Sequence, residues 1–316
     1  MTRDALNGYH GILLIAKPAG PTSHDVVDVV RRVLRQRRVG HLGTLDPMAE
    51  GVLPLALGLA TRLASILVHA DKVYEAVFRF GVETDTHDRA GRVIAEHPVP
   101  DDLTEDRLRE VLRRYVGEID QVPPLISAKK YRGRPLYWWV RRGKEVPPPP
   151  PKRVRFYVID LITWVPPYAH LKIHCSAGAY IRALARDVGQ AVGCGAIVDR
   201  IRRIRWGRYS LEDTIPLARF REQPELRPPY FIPLEDIAPE WPRLRANPVI
   251  LRRLLSGQSV PLPPLMRQIE GVERLTRERY LKVFSPQGKI VAIAEIDYPN
   301  WIRPNINFPQ RMESVL

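Results

Sequence analysis

Three glycines bracket Asp46 in the stretch GHLGTLDPMAEGVLP, residues 40–54. Glycine permits tight backbone paths that other residues resist. Pro47 biases Asp46 away from helix, and an Asp-Pro pair is a turn signal. We therefore expect the chain to display Asp46 on a tight loop. The local pattern leaves two interpretations open, because the carboxylate either caps a turn or has a chemical task.

The charge of the chain indicates a polyanionic partner. Forty-nine Lys and Arg outnumber 35 Asp and Glu, which gives a formal net charge of +14 and a pI near 10.0. Five arginines fall within residues 31–38, directly before the Asp46 stretch, with no acidic residue among them. Clustered cations of this kind are typical of phosphate-contacting surfaces, so nucleic acid is the expected partner.

A second basic cluster, residues 129–155, carries ten Lys and Arg against the single acid Glu145. It interleaves four aromatic residues, Tyr131, Tyr137, Trp138 and Trp139, and it contains five consecutive prolines at 147–151. Aromatic rings among cations suit looped or single-stranded RNA, where bases stack and phosphates pair with Lys and Arg. We expect an inserted RNA-binding arm, although both tryptophans could equally pack at its base.

Length and composition limit the other possibilities. A chain of 316 residues with 45% hydrophobic residues has room for about two cored domains. Two cysteines, Cys175 and Cys194, exclude a disulfide scaffold and fit a reducing, cytoplasmic location. We see no signal peptide, and no apolar run approaches the ~20 residues of a membrane span.

Periodicity predicts alternating strands and helices before a β-rich end. We expect a strand and turn over 11–20, helices over 24–38, 52–67, 103–117 and 179–195, and strands over 71–82 and 156–178. Thr22 or Ser23 is expected to cap the first helix, and Thr104 and Gly117 the third. Residues 224–248 have the proline density of a linker, and SPQG at 285–288 is expected to turn a hairpin.

We predict no metal site from the sequence. The acidic loop at 85–93 lacks the glutamate that an EF-hand loop needs. In the strand that ends at Cys175, alternation places the cysteine opposite His170 and His174, so we expect a buried structural thiol.

Four blocks in order resemble the TruB family of pseudouridine synthases, in its bacterial form that acts on tRNA. They are GILLIAKPAGPTSHDVV, GHLGTLDPMAEGVLPLALGLATR, DKVYEAVFRFGVETDTHDRAG and CSAGAYIRALARDVGQAVGCGA with the following RIRRIRWGRY. The resemblance implies an α+β pseudouridine synthase fold, in which helices flank a mixed central sheet. It implies a catalytic domain over 1–235, with an inserted thumb at about 123–155. A small β-barrel domain of the RNA-binding PUA type is implied over 243–316.

The family acts on tRNA without a cofactor or a metal, usually as a monomer. The resemblance therefore implies isomerisation of uridine 55 in the T-loop to pseudouridine, on a uridine flipped out of the loop. The glycosidic N1–C1′ bond breaks, the uracil turns, and C5 bonds to C1′.

Eight positions match functional residues of the family. Asp46 matches the catalytic aspartate, Arg182 the arginine that pairs with it, and Tyr74 the tyrosine that stacks on the uracil. Tyr180 is expected to support the Arg182–Asp46 pair, Ile201 to line the uracil pocket, and His41 to fill the gap left by the flipped base. Lys17 and Lys130 match basic positions, which we assign to substrate binding while leaving fold support open.

The chain departs from the family at Ala16, Ile126 and Lys129, and in the unusual tryptophan pair and proline run of the arm. None of these positions belongs to the Asp46, Tyr74 and Arg182 set, so they bear on RNA contacts rather than on the reaction. Two alternatives remain open: a guide-RNA-dependent relative that acts inside a ribonucleoprotein, and a non-catalytic protein that binds or folds tRNA.

Overall fold

The computed structural model describes residues 8–308 apart from residues 128 and 141, and it leaves aside the side chains of Lys130 and Tyr137. Within this part, seven α-helices are numbered in chain order. They are α1 Ser23–Leu34, α2 Ala64–Leu67, α3 Glu105–Arg113, α4 Leu136–Val140, α5 Ile181–Val192, α6 Leu217–Glu222 and α7 Pro248–Leu255.

The strands of the described residues fall into one large sheet, one smaller sheet and two short hairpins. In chain order they are β1 Gly11–Lys17, β2 Val39–His41, β3 Glu50–Leu57, β4 Lys72–Phe80, β5 Val82–Thr84, β6 Val93–Glu96, β7 Gly117–Gln121, β8 Lys130–Tyr131, β9 Arg134–Pro135, β10 Lys152–Val165, β11 Tyr168–Cys175, β12 Ala196–Trp206, β13 Tyr209–Ser210, β14 Ile215–Pro216, β15 Phe231–Pro233, β16 Arg243–Arg245, β17 Val260–Pro261, β18 Ile269–Glu270, β19 Tyr280–Phe284, β20 Ile290–Asp297 and β21 Trp301–Asn307.

The large sheet is mixed and has eleven strands among the described residues. Its main path is β14-β1-β3-β12-β4-β11-β10-β7, with β2, β13 and β15 added at the sides. Two of its pairings, β1 with β14 and β3 with β12, are parallel, and the others are antiparallel. Helices α1, α3 and α5 supply apolar residues to the core on one face of this sheet. The mixed α+β fold expected from the resemblance is therefore confirmed.

Helix α1 shows how local sequence fixes an element beside the site. The side chain of its N-cap residue, Thr22, accepts a hydrogen bond from the N–H of Asp25, and the Asp25 carboxylate accepts one in return from the N–H of Thr22. This reciprocal capping box satisfies two N–H groups that the helix leaves free. Val26, Val27 and Val30 are buried at helical spacing, so the predicted strand, cap and helix are confirmed, although the helix ends at Leu34 rather than at residue 38.

The helix predicted over 52–67 is wrong for most of its length. Residues 50–57 form β3, and only a 3-10 turn at Gly58–Leu63 and the short α2 are helical. β3 pairs with β1, β2 and β12, and seven of its eight residues are buried. A strand enclosed on both faces reads as a continuous apolar run, which periodicity cannot distinguish from a buried helix.

Helix α3 begins after its predicted cap, Thr104, but it ends earlier than expected. Arg114 is its C-cap, and the predicted C-cap Gly117 instead begins β7 with a φ of +105°. The other predicted elements are present: α5 ends at the left-handed Gly193, and Cys175 is buried on the face of β11 opposite His170 and His174.

The proline-dense segment 224–248 is more than a linker. Residues 231–233 form β15, which pairs antiparallel with β1 in the large sheet. Beyond it, the smaller sheet runs β17-β21-β20-β19-β16-β18 and forms the curled C-terminal sheet. The predicted SPQG hairpin is confirmed, since the N–H of Ser285 donates to the carbonyl of Lys289 at 2.8 Å between β19 and β20. The boundaries at 235 and 243 stay predictions.

The two sheets share a hydrophobic cluster. Ile12 and Leu14 of β1 belong to the same buried group as Ile290 and Ile293 of β20 and the following Phe308. In the described part of the chain, no helix is long and apolar enough to cross a membrane.

Candidate active site

The loop that carries Asp46 joins β2 to β3 and is held from two directions. The Ser23 hydroxyl at the start of α1 donates to the carbonyl of Leu45 at 2.9 Å and accepts from its N–H at 2.8 Å. On the other side, the ammonium of Lys17 donates to the carbonyl oxygens of Pro18, Pro47 and Ala49. The expected tight loop is therefore present, and its backbone is fixed on both sides of Asp46.

Arg182, in the first turn of α5, binds the Asp46 carboxylate through two nitrogens. Its Nε donates to Oδ2 at 2.8 Å and its Nη2 to Oδ1 at 3.1 Å. The guanidinium also donates to the carbonyls of Thr86 and Ile126, and Asp88 Oδ2 lies 3.7 Å from Nε. The Arg182 side chain is 5% exposed and that of Asp46 is 40% exposed. The pair therefore holds an oriented carboxylate that still faces outward.

This carboxylate opens onto a cavity of about 320 Å³. Tyr74, Tyr180, Ile201 and Arg182 contribute to its walls, together with Ser127 and the segment 177–181 at the start of α5. The structure thus gathers five of the eight predicted residues around one space. Its volume lies at the lower end of the range for small-ligand sites.

Tyr74 is buried on β4, and Arg203 lies beside its hydroxyl. Burial raises the pKa of Tyr74, and the hydrogen bond from Arg203 opposes that shift. The phenol is therefore protonated at neutral pH, and its ring can stack while its hydroxyl donates or accepts a hydrogen bond.

The remaining predicted residues lie around this centre. Hydrogen bonds between the backbone of Tyr180 and the side chain of Gln121 fix the residue before α5. His41 ends β2, where its half-buried ring has an Nδ1 without a hydrogen-bond partner among the described residues. Burial lowers the pKa of His41, with further contributions from Arg203 and His24. The neutral ring suits contact with an unpaired base.

Of the two predicted lysines, Lys17 and Lys130, only Lys17 has a described side chain. Lys17 is 2% exposed beneath the loop, so its position is that of fold support, one of the two roles left open, rather than of a surface contact with RNA. The side chain of Lys130 lies outside the described part of the structure, and its assignment stays a prediction.

Lys72, Lys152 and Arg203 also line the cavity, and sequence reasoning missed the two that are buried, Lys72 and Arg203. Arg203 of β12 is 1% exposed and donates to the carbonyls of Val52, Gly43 and Thr44. It belongs to the arginine-rich segment 200–209, whose composition is typical of an exposed segment. Lys72 of β4 is 6% exposed and also lines the cavity, although lysine side chains are usually found at the surface. Lys72 lies two residues from Tyr74 in the same strand, so both side chains point to the same face. Arg203 is the cross-strand partner of Tyr74. The strand register could therefore have identified both cations.

The inserted arm lies between β7 and β10. Trp139 holds it together, since its indole N–H donates to the carbonyl of Tyr131 at 3.0 Å and its ring meets Tyr131 and Trp138 edge-to-face. The Arg142 guanidinium lies 4.0 Å from the centre of the Trp138 ring. Trp139 therefore packs within the arm, while Trp138 carries a cation on one face.

In the residues described, no group of three or more His, Cys, Asp or Glu side chains is placed to hold a metal ion. Both cysteines are free and buried.

Known proteins resemble this chain over almost its whole length. The model of the TruB family pseudouridylate synthase N-terminal domain matches residues 31–181. The tRNA pseudouridine synthase B of Solibacter usitatus (strain Ellin6076) is 37% identical over 298 residues, 94% of this chain and 99% of that protein. The protein of the same name from Thermotoga maritima is 36% identical over 307 residues, 97% and 96% of the two chains.

Solved structures share the fold. A chain from a Cbf5-Nop10-Gar1 complex superposes with a TM-score of 0.66 at 25% identity, over 95% of this chain and 84% of the other. A chain from an H/ACA ribonucleoprotein bound to a substrate RNA gives 0.65 at 23% identity, over 96% and 86%. With the sequence relatives above, these likenesses lead to one conclusion: the chain belongs to the TruB family of pseudouridylate synthases.

Proposed function

We propose that the protein converts uridine 55 in the T-loop of tRNA to pseudouridine, with Asp46 as the catalytic carboxylate. The observation that carries this proposal is the two-nitrogen contact of Arg182 with Asp46 at the cavity. The guanidinium is buried and donates to four oxygen atoms, whereas the carboxylate remains accessible to a ligand. Family membership and the names of the relatives support the reaction and its tRNA substrate.

The isomerisation is balanced without any other reactant. The N1–C1′ bond breaks, the uracil rotates within the cavity, and C5 bonds to C1′. The proton on C5 is lost, and N1 gains one, so composition and oxidation state are unchanged. Asp46 serves by attacking the sugar or the base, or by assisting loss of a sugar proton along a glycal route. Each route needs a carboxylate that is oriented toward the nucleotide, which Arg182 provides, and a bound uridine would exclude water from it.

The other cavity residues position the flipped nucleotide. Tyr74 stacks on the uracil and takes part in the final proton transfer, and Ile201 closes the apolar side of the pocket. Tyr180, fixed through Gln121, supports the start of α5 and so Arg182. His41 fills the space that the base vacates in the T-loop. The basic arm at 123–155 and the curled C-terminal sheet contact the rest of the tRNA, and the protein acts as a cytoplasmic monomer.

Purified protein and an unmodified tRNA transcript test this proposal, with pseudouridine mapped at nucleotide resolution. We expect product at position 55 without any guide RNA, no product with Asp46→Asn, and wild-type turnover with Asp101→Asn, which alters an exposed carboxylate on the turn before α3. Tight binding without product would favour the non-catalytic alternative. Product only within a ribonucleoprotein would favour the guide-dependent one.

A further inference from the structure

Three cationic groups converge on the active-site cavity without a carboxylate partner. Lys72, Lys152 and Arg203 all line it, and among the described residues none has a carboxylate oxygen within 4.0 Å. Arg182, by contrast, has both Asp46 and Asp88 close by. The positive charge at Lys72, Lys152 and Arg203 is therefore uncompensated.

Lys72 is fixed in place, with its ammonium only partly used. Its Nζ donates to the carbonyl of Val68 at 2.9 Å, and an ammonium carries three donors. The side chain is 6% exposed on β4, two residues before Tyr74. A buried lysine with a donor to spare beside an open cavity is costly unless a ligand uses that charge.

Lys152 reaches the same cavity from the end of the arm. It is the first residue of β10, directly after the prolines at 147–151. Its ammonium packs against Gly178, where an added Cβ would lie 2.1 Å from Nζ. Gly178, with a φ of +86°, leaves room for this approach, whereas a Cβ there would force the exposed end of the Lys152 side chain to move. The contact ties the arm to the segment before α5.

The cations repel one another. Burial, followed by the charge of Arg203, lowers the pKa of Lys72 to about 8, and Lys152 lowers it further while Cys175 and Asp71 oppose the shift. Like charges held together in this way are relieved when an anion enters between them.

We infer that Lys72 and Lys152, with Arg203 behind them, form an anion subsite that takes a phosphate group flanking the target uridine. The inference rests on the proposed function, because Asp46 has to meet the ribose. A phosphate joined to that ribose must then fall within the same cavity. Charge-assisted hydrogen bonds to this phosphate hold the ribose against Asp46. Because Lys152 belongs to the strand that follows the arm, its bond to the phosphate depends on the position of the arm.

Methylphosphonate substitution tests the contact directly. T-arm stem-loops carry a neutral methylphosphonate at the phosphate 5′ or 3′ of the target uridine, and dissociation constants are measured in an Asp46→Asn background to prevent turnover. We expect one of the two substitutions to weaken binding about tenfold, Lys152→Ala to weaken it similarly, and the combination to be no worse than either change alone. Lys152→Ala should also lower the slope of log K against log salt by about one.

Arg153→Ala is the matched control, since it removes the next, exposed cation of the same strand, which pairs with Glu118. Its effect should add to that of the methylphosphonate. The inference is overturned if the loss of affinity caused by Lys152→Ala adds in full to the loss caused by each of the two methylphosphonates. Position 72 provides a second test. Lys72→Arg keeps the charge, so the methylphosphonate should weaken its RNA binding as in the parent protein. Lys72→Met removes the charge, so the methylphosphonate should weaken its RNA binding less.

Failure of the subsite and failure of the proposed function are distinguishable. If the unsubstituted stem-loop gives no pseudouridine with the wild-type protein, the proposed function fails. If it does give product but Lys152 and both phosphates act independently, only the anion subsite is rejected.

Discussion

The ammonium of Lys17 lies 2.7 Å from the carbonyl oxygen of Ala49, three residues beyond Asp46. The same ammonium also donates to the carbonyl of Pro47, so one buried side chain from β1 holds the downstream half of the Asp46 loop. Burial lowers the pKa of Lys17 to about 8, although Asp46 and Glu50 oppose the shift. The carboxylate is thus positioned by backbone contacts as well as by Arg182.

Lys17→Met tests this support. Methionine keeps the apolar stem but leaves the Ala49 carbonyl without its donor, which costs roughly 1–3 kcal/mol for a buried acceptor. We expect a lower free energy of unfolding in urea and a single-turnover rate reduced more than tenfold, with little change in tRNA affinity. A variant with wild-type turnover would show that the loop holds Asp46 without Lys17.

Arg182→Lys separates charge from geometry. Lysine keeps a cation near Asp46 but loses the planar pair of donors and the contacts to Thr86 and Ile126. Because misplacing a reacting group by about 1 Å can cost about a hundredfold in rate, we expect kcat to fall by about that factor. KM should stay within a few-fold of the wild type. A large rise in KM at unchanged kcat would contradict the positioning role.

Gly51→Ala and Gly40→Ala form a matched pair within the same stretch. A Cβ at Gly51 would lie 2.1 Å from the carbonyl oxygen of Arg203, and Gly51 has a φ of +109°. A Cβ at Gly40 would meet nothing within 4 Å. We expect Gly51→Ala to destabilise the protein by roughly 1–3 kcal/mol through its backbone conformation alone, and further by separating β3 from β12. Gly40→Ala should unfold like the wild type in the same denaturant series.

The pH dependence of KM reports on Lys72. Its pKa of about 8 means that the ammonium is charged below that pH and loses its charge as the pH rises. The groups that act on it are Arg203, Lys152, Asp71 and the thiol of Cys175, which burial keeps neutral by raising its pKa to about 12. Attraction to RNA phosphate should therefore weaken above pH 8, and KM should rise.

Steady-state kinetics from about pH 6.5 to 9.5 would show this rise for the wild type. Lys72→Arg stays charged throughout that range and should give a flat KM. Loss of charge at Lys17 would act on kcat through the Asp46 loop, so the two lysines are separable. An equally steep rise of KM in Lys72→Arg would exclude Lys72 as its source.

Local sequence predicted the Asp46 loop, because glycines and an Asp-Pro pair act over a few residues. The partner Arg182 lies 136 positions away and came only from the resemblance, since no local rule joins residues so far apart. Lys72 and Arg203 were missed because hydropathy places Lys and Arg at the surface. Their burial depends on carbonyl oxygens supplied by other parts of the chain. β3 was mistaken for a helix because hydrophobic clusters cover both of its faces, which gives it a continuous apolar sequence.

The hydrophobic cluster that joins β1 to β20 has a consequence for substrate choice. A continuous core leaves little freedom for a hinge, so the curled C-terminal sheet is held at a constant distance from Asp46. An RNA that touches both must present its uridine at that distance. Under the proposed function, this fixed spacing favours RNAs whose stem length brings the target uridine to Asp46 while the stem contacts the C-terminal sheet.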